Sequence, residues 1–225
     1  MLIFSFISPD DSIVAFWKME ETEEQLRKMC SLTDYDNQII GKCTATKRRV
    51  ELLSVRALLK AVGIDQTIHY DDRKPCIDGG YISISHSSNI AAIIWNKHHA
   101  VGIDIETISE RIRRIATRAF CEEEIAMADD DIEKLTVLWN CKECVFKLAN
   151  DEGIDFREMI NIQFSELRLL SLSKYRRVEI SGSEDSKGPR EGLIEATLTK
   201  SGETQHFSLS AMKIEGNTVV WGRKK

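Results

Sequence analysis

Chain breakers are scarce in this sequence, which has 12 Gly and 3 Pro in 225 residues. With 42% hydrophobic and 30% charged residues beside them, the composition argues against a disordered chain and for a folded globular one. Positive charge is not in excess either. The net charge of −5 excludes a nucleic-acid binder that works through a general basic surface, so any anion site must be local. Long apolar runs are missing, and nothing here is long enough to span a bilayer. The apolar start, Leu2 to Ile7, lacks a preceding basic region and is cut off by Pro9, Asp10 and Asp11, so it reads as a strand. Six cysteines without a secretory signal fit reduced thiols better than a disulfide framework. These absences lead us to expect a cytoplasmic protein with no nucleic-acid partner and no membrane.

At this length the chain is one large domain or two small ones fused. Thr44 to Val62 reads as a helix whose stripe is Leu52, Val55, Leu59 and Val62, ended by Gly63. Tyr81 to Ser85 and Ile90 to Trp95 form a hairpin around His86 to Asn89, and Ala100 to Glu106 is a third strand. Ser109 to Asp131 gives one or two short helices with a basic start. A second long helix runs from about Ile132 to Ala149, with Leu135, Leu138, Trp139, Val145 and Phe146 on its buried side. Strands follow at Ile160 to Leu172, Arg177 to Ile180, Gly192 to Thr199, Phe207 to Lys213 and Thr218 to Trp221, with a mobile loop expected at Ser181 to Gly192. Each half shows a long helix followed by antiparallel strands. That layout predicts an α+β class with two similar halves, 1–100 and 101–225.

Candidate chemistry begins in Val101 to Glu106, where Val101, Ile103 and Ile105 share one strand face and Asp104 and Glu106 the other. Two parallel carboxylates suit a hard cation such as Mg²⁺; alone, they equally fit a strand with solvated acids. On the second long helix Glu143 and Lys147 lie four apart on one face, as an ordinary ion pair would. Beside Asp104 and Glu106, however, Glu143 could be a third ligand or a general base, and Lys147 could hold a phosphate. Ser85 and His86 offer donors at a hairpin turn. Lys74, with Lys47, Arg48, Arg49 and Arg56, adds local positive charge that otherwise reads as a solvated helix end.

The order of these motifs resembles the Sfp-type 4′-phosphopantetheinyl transferases. The family's R-x-x-E-F-L-A-G-R helix is similar to Arg48 to Arg56, its G-K-P to Arg73-Lys74-Pro75, and its S-H-S to Ser85-His86-Ser87. V-G-I-D-I-E is matched without change at Val101 to Glu106, F-S-x-x-E resembles Phe120 to Glu124, and W-x-x-K-E-x-x-x-K is matched in full at Trp139 to Lys147. Arg73, Cys121, Cys141 and Cys144 depart from the pattern without removing a carboxylate. The first forty residues and those after about 160 match only in general strand pattern.

The resemblance implies a pseudo-dimer of two α+β halves with the active site in the cleft between them. It implies Mg²⁺-dependent transfer of the phosphopantetheine arm of coenzyme A to a serine of an apo acyl, peptidyl or polyketide carrier protein, with release of 3′,5′-adenosine diphosphate. Length favours this type over short trimeric relatives, so a monomer is expected. By the same resemblance Asp104, Glu106 and Glu143 hold the metal, Glu143 takes the serine proton and Lys147 contacts phosphates. Ser85 and His86 grip a phosphate, Lys74 lies by the adenine nucleotide, and Arg48 or Arg56 lies near the 3′-phosphate. The basic stretch Arg111 to Phe120, with Arg111, Arg113, Arg114 and Arg118, is expected to steer an acidic carrier. Two rival readings stand beside this one: a redox or zinc protein built on Cys141-x-x-Cys144, and a non-catalytic module that binds carrier protein or coenzyme A. The first is disfavoured because that pair lies mid-helix, the second because all three carboxylates are present.

Overall fold

The computed structural model describes residues 1–163, 170–171 and 194–225. The chain divides into two units, the first Met1–His98 and the second made of the described residues from His99 onward.

In the first unit, β1 (Leu2–Ile7) and β2 (Ile13–Lys18) precede α1 (Glu23–Met29), α2 (Asp34–Gly41) and α3 (Thr46–Ala61). A small hairpin, β3 (Ile68–Asp71) and β4 (Lys74–Ile77), leads to β5 (Tyr81–His86) and β6 (Ile90–Asn96). The main sheet is antiparallel in the order β1-β2-β6-β5. The expected stripe of α3 is buried, with Leu52, Val55, Leu59 and Val62 packing with Ala15, Trp17, Ala91 and Ile93 in one core. The short helices α1 and α2 and the β3–β4 hairpin were not anticipated from periodicity, because each is too short to show a period. Their signals are local. Thr22 with Gln25, and Thr33 with Asp36, form complete capping boxes that start α1 and α2. Asp72, at a positive φ of 52°, turns β3 into β4.

The second unit contains β7 (Val101–Thr107), α4 (Ile112–Ala119), α5 (Glu122–Ala128), α6 (Ile132–Ala149), β8 (Ile160–Gln163), β9 (Leu170–Ser171), β10 (Ile194–Lys200), β11 (Glu203–Ile214) and β12 (Asn217–Lys224). Its sheet runs β7-β12-β11-β10-β8 with antiparallel neighbours, and β9 pairs parallel to β11. Asp131 caps α6 by accepting from the amides of Glu133 and Lys134, and Asn150 in the left-handed region ends it. The helix lies on β7 and β12, with Leu135, Leu138, Val145 and Leu148 in the core. The expected strand Arg177 to Ile180, the expected mobile loop Ser181 to Gly192 and most of Ile160 to Leu172 beyond Gln163 lie outside the described residues.

Both units combine helices with antiparallel sheets, as expected of an α+β chain. Among the described residues no helix is long and apolar enough to cross a membrane.

Candidate active site

Close helix-to-strand packing makes the site possible. A side chain at Gly102 would put a Cβ 2.7 Å from the Cys144 carbonyl oxygen and 2.8 Å from Leu148 Cγ, so the helix can lie this close only over a glycine. The strand face that carries Gly102 therefore meets α6. Asp104 lies on that face, and residues 140 and 147 of α6 reach it.

Asp104 is buried, which removes the reading of a solvated acid. Its Oδ1 accepts from Lys147 Nζ at 2.7 Å and its Oδ2 from Asn140 Nδ2 at 2.8 Å. Lys147 also donates to the Ile103 carbonyl at 3.0 Å. The lysine thus reaches across to β7, and among the described residues it makes no ion pair with Glu143 one turn back. Glu106 takes a hydrogen bond from Trp139, yet burial and the neighbouring Asp104 raise its pKa. Glu143 is half-buried and accepts no hydrogen bond among the described residues. Desolvation first, then the charges of Asp104 and Glu106, push its pKa up to about 7, against the opposing pull of Lys147. These four groups form one electrostatically coupled cluster. Among the described residues no set of three or more His, Cys, Asp or Glu is arranged so as to hold a metal ion by itself.

The candidate residues of the first unit have varied surroundings. Arg48 is exposed and paired with Glu51 at 2.9 Å. Arg49 braces the chain before α3 by donating to the carbonyls of Cys43 and Thr44 and to Glu23. Arg56, with Arg48 one of two candidates for the 3′-phosphate, is 8% exposed and bonded to Asp36 at 2.9 Å, with its guanidinium against the Tyr70 ring. Lys74 is exposed on β4, while Ser85 is buried and His86 half-buried at the end of β5. Ser87 closes the hairpin, accepting at Oγ from the Ile90 amide.

Of the arginines from 111 to 118, Arg113 pairs with Glu110 at 2.7 Å and also with Asp130, whereas Arg111, Arg114 and Arg118 are exposed. The thiols of Cys141 and Cys144 are buried, unpaired with each other and pushed far up by desolvation. Thiols held so strongly in the protonated form are poor nucleophiles, which counts against the redox reading, and among the described residues no group of three or more His, Cys, Asp or Glu stands there to hold zinc.

Four residues were given no role by motif reading, although Glu124 and Lys142 stand at motif positions themselves. Asn140 and Thr218 complete the support of Asp104, since Thr218 Oγ1 donates to Asn140 Oδ1 at 2.5 Å. Lys142 and Glu124 are fully buried and paired at 2.8 Å, and Lys142 also donates to the carbonyls of Phe156 and Ile160. A signal for Lys142 was present: it falls at three-to-four spacing between Leu138 and Val145, on the apolar stripe itself.

No curated protein matches the chain. Residues 100–188 match the model of the 4′-phosphopantetheinyl transferase superfamily; Asp104, Glu106, Glu143 and Lys147 lie inside this stretch, and Arg48, Arg56, Lys74, Ser85 and His86 precede it.

Proposed function

We propose that the chain is an Sfp-type 4′-phosphopantetheinyl transferase, moving the phosphopantetheine arm of coenzyme A to a serine hydroxyl of an apo carrier protein, as a holo-[acyl-carrier-protein] synthase does. The observation that carries this reading is the cluster itself: inside the stretch that matches the superfamily model, a buried Asp104 held by Asn140 and Lys147 is electrostatically coupled to the carboxylates of Glu106 and Glu143. A carboxylate in such a cluster can accept a serine proton.

In the proposed reaction the serine oxygen forms a bond to the β-phosphorus of coenzyme A. The bond to the bridging oxygen breaks, and 3′,5′-adenosine diphosphate departs. The serine proton passes to Glu143, directly or through water. Such a transfer needs positioning and charge neutralisation more than covalent help. Lys147, whose ammonium is held at the cluster by Asp104 and the Ile103 carbonyl, supplies positive charge that phosphate oxygens can share.

The donor set fits Mg²⁺. This ion takes one or two carboxylates and completes its shell with water or phosphate oxygens, so a closed cage of three protein ligands is not required. Asp104, Glu106 and Glu143 would hold it, and their mutual repulsion, visible in the raised pKa values of Glu106 and Glu143, is what a divalent cation relieves. Bound there, it supplies neutralisation of charge on the pyrophosphate oxygens.

By the family resemblance, Arg48, Lys74, Ser85 and His86 are proposed to hold the nucleotide, and the two halves 1–100 and 101–225 to act together as a cytoplasmic monomer. Arg48 takes the 3′-phosphate role in preference to Arg56, whose charge is committed to Asp36. Arg111, Arg114 and Arg118 are proposed to steer the carrier. The test is mass spectrometry of apo acyl, peptidyl and polyketide carrier proteins incubated with the protein, coenzyme A and Mg²⁺. The reading expects at least one carrier to gain a phosphopantetheine on serine. If all carriers stay unmodified while coenzyme A still binds, the chain is a non-catalytic module.

A further inference from the structure

Asn140 is fully buried on a helix whose buried face is otherwise largely apolar. It precedes Glu143 by three residues and Lys147 by seven, so the three lie on one face of α6. Its two bonds have a fixed sense. An ionised Asp104 can only accept, so the amide nitrogen of Asn140 must point at Asp104 and the amide oxygen at Thr218. The Thr218 hydroxyl, also fully buried, must then donate. Thr218 stands opposite Glu106 in the β7–β12 register and Val220 opposite Asp104, so Thr218 belongs to the same sheet face as the carboxylates. A hydrogen-bond chain thus runs from β12 through α6 to β7 and ends on Asp104 Oδ2.

We propose that Asn140, itself oriented by Thr218, is the positioning residue for Asp104. The terminal torsion of an aspartate is broad, so a single bond would leave its carboxylate plane loosely set. With Asn140 on Oδ2 and Lys147 on Oδ1, both oxygens are fixed. Asn140 does this without adding charge, which leaves the negative potential of the cluster available to a cation. Thr218 fixes Asn140 in turn, because the amide has only one orientation that satisfies both neighbours. The inference rests on the proposed role of Asp104 as a metal-holding carboxylate.

The test separates the hydroxyl of Thr218 from its methyl group, using Mn²⁺ binding to the full chain followed by electron paramagnetic resonance. Thr218→Val keeps the shape and deletes the donor. Thr218→Ser keeps the donor and deletes a methyl. The proposal expects Thr218→Val to weaken Mn²⁺ binding by about tenfold or more, the range found when an outer partner of a metal ligand is removed. It expects Thr218→Ser to stay within about twofold of the original. A role in packing alone gives the reverse order, or equal losses, and overturns the proposal. Equal binding by all three proteins also overturns it. Asn140→Ala should lose at least as much as Thr218→Val, but because it opens a buried site its result is taken only from protein whose thermal unfolding remains cooperative. If the unaltered protein transfers phosphopantetheine yet the valine variant binds Mn²⁺ normally, this inference alone fails. If the unaltered protein binds no Mn²⁺ and modifies no carrier, the functional reading fails and takes the inference with it.

Discussion

The two units bury a cation in the same way and use the result differently. In the first, Arg56 of α3 meets Asp36, the residue that completes the capping box of α2. In the second, Lys142 of α6 meets Glu124, which completes the capping box of α5. In each unit one carboxylate starts a short helix and ties it to the long one. Saturation differs, however. Lys142 uses its three donors on Glu124, Phe156 and Ile160, and Glu124 also accepts from the Ile162 amide of β8. Arg56 leaves Nη2 without a partner among the described residues. Only in the second unit does the long helix also carry Asn140, Glu143 and Lys147 to a strand carboxylate. A fully satisfied cation beneath the helix fixes its place, so the polar face above can be held to ångström tolerance.

The largest effect should come from striking that polar face. Glu143→Gln is expected to slow carrier modification by about a hundredfold to ten-thousandfold while leaving the protein folded, the range for loss of a general base. Single-turnover kinetics with coenzyme A and an apo carrier would check this. Near-normal turnover would move the base elsewhere.

Breaking the buried pairs should separate the units by stability. Lys142→Ala leaves Glu124 buried and uncompensated, and should cost about 3–5 kcal/mol in urea unfolding. Arg56→Ala breaks a less saturated pair and should cost less, roughly 2–3 kcal/mol by the same reasoning. Equal losses would mean that the extra carbonyl bonds of Lys142 contribute nothing.

The second unit should also carry a pH dependence that runs opposite to that of the lowered carboxylates Glu21 and Glu23 in the first. The folded protein raises the Glu143 pKa from 4.5 to about 7, so it binds that proton more tightly than the unfolded chain does. The contribution of Glu143 to stability is therefore full below about pH 4.5 and is lost as pH rises through about 7. In EDTA, the stability of the original protein minus that of Glu143→Gln should fall across this window by on the order of 3 kcal/mol and then level off. A flat difference would show that the carboxylate is not desolvated in solution.

The smallest effect belongs to the exposed arginines. Charge reversal at Arg114 and Arg118, which are not tied up as Arg113 is, should raise the Michaelis constant for an acidic carrier a few-fold and leave that for coenzyme A unchanged. The rise should shrink as salt is added. Identical salt dependence in both proteins would remove α4 from carrier docking.

Much of this was legible in the chain. The alternation in Val101 to Glu106 places Asp104 and Glu106 on one strand face, and the long helices α3 and α6 begin and end within two residues of where periodicity puts them. Even the buried cations left a trace. Arg56 falls between Leu52 and Leu59, and Lys142 between Leu138 and Val145, each on an apolar stripe where a charge must find a partner. What local pattern could not supply was that partner, because Asp36 and Glu124 lie on other helices.

Sequence by itself determined the period of each long element, the shared face of the two strand carboxylates, the order of the family motifs and the shortage of breakers that lets the chain fold. Only the tertiary structure decided that Lys147 turns to Asp104 and away from Glu143, that Arg56 pairs with Asp36, and that Thr218 supports Asn140 from 78 residues away. The physical reason is that periodicity reports which side of an element is apolar, whereas a hydrogen bond or a pKa depends on what the fold brings within about 3 Å of that side.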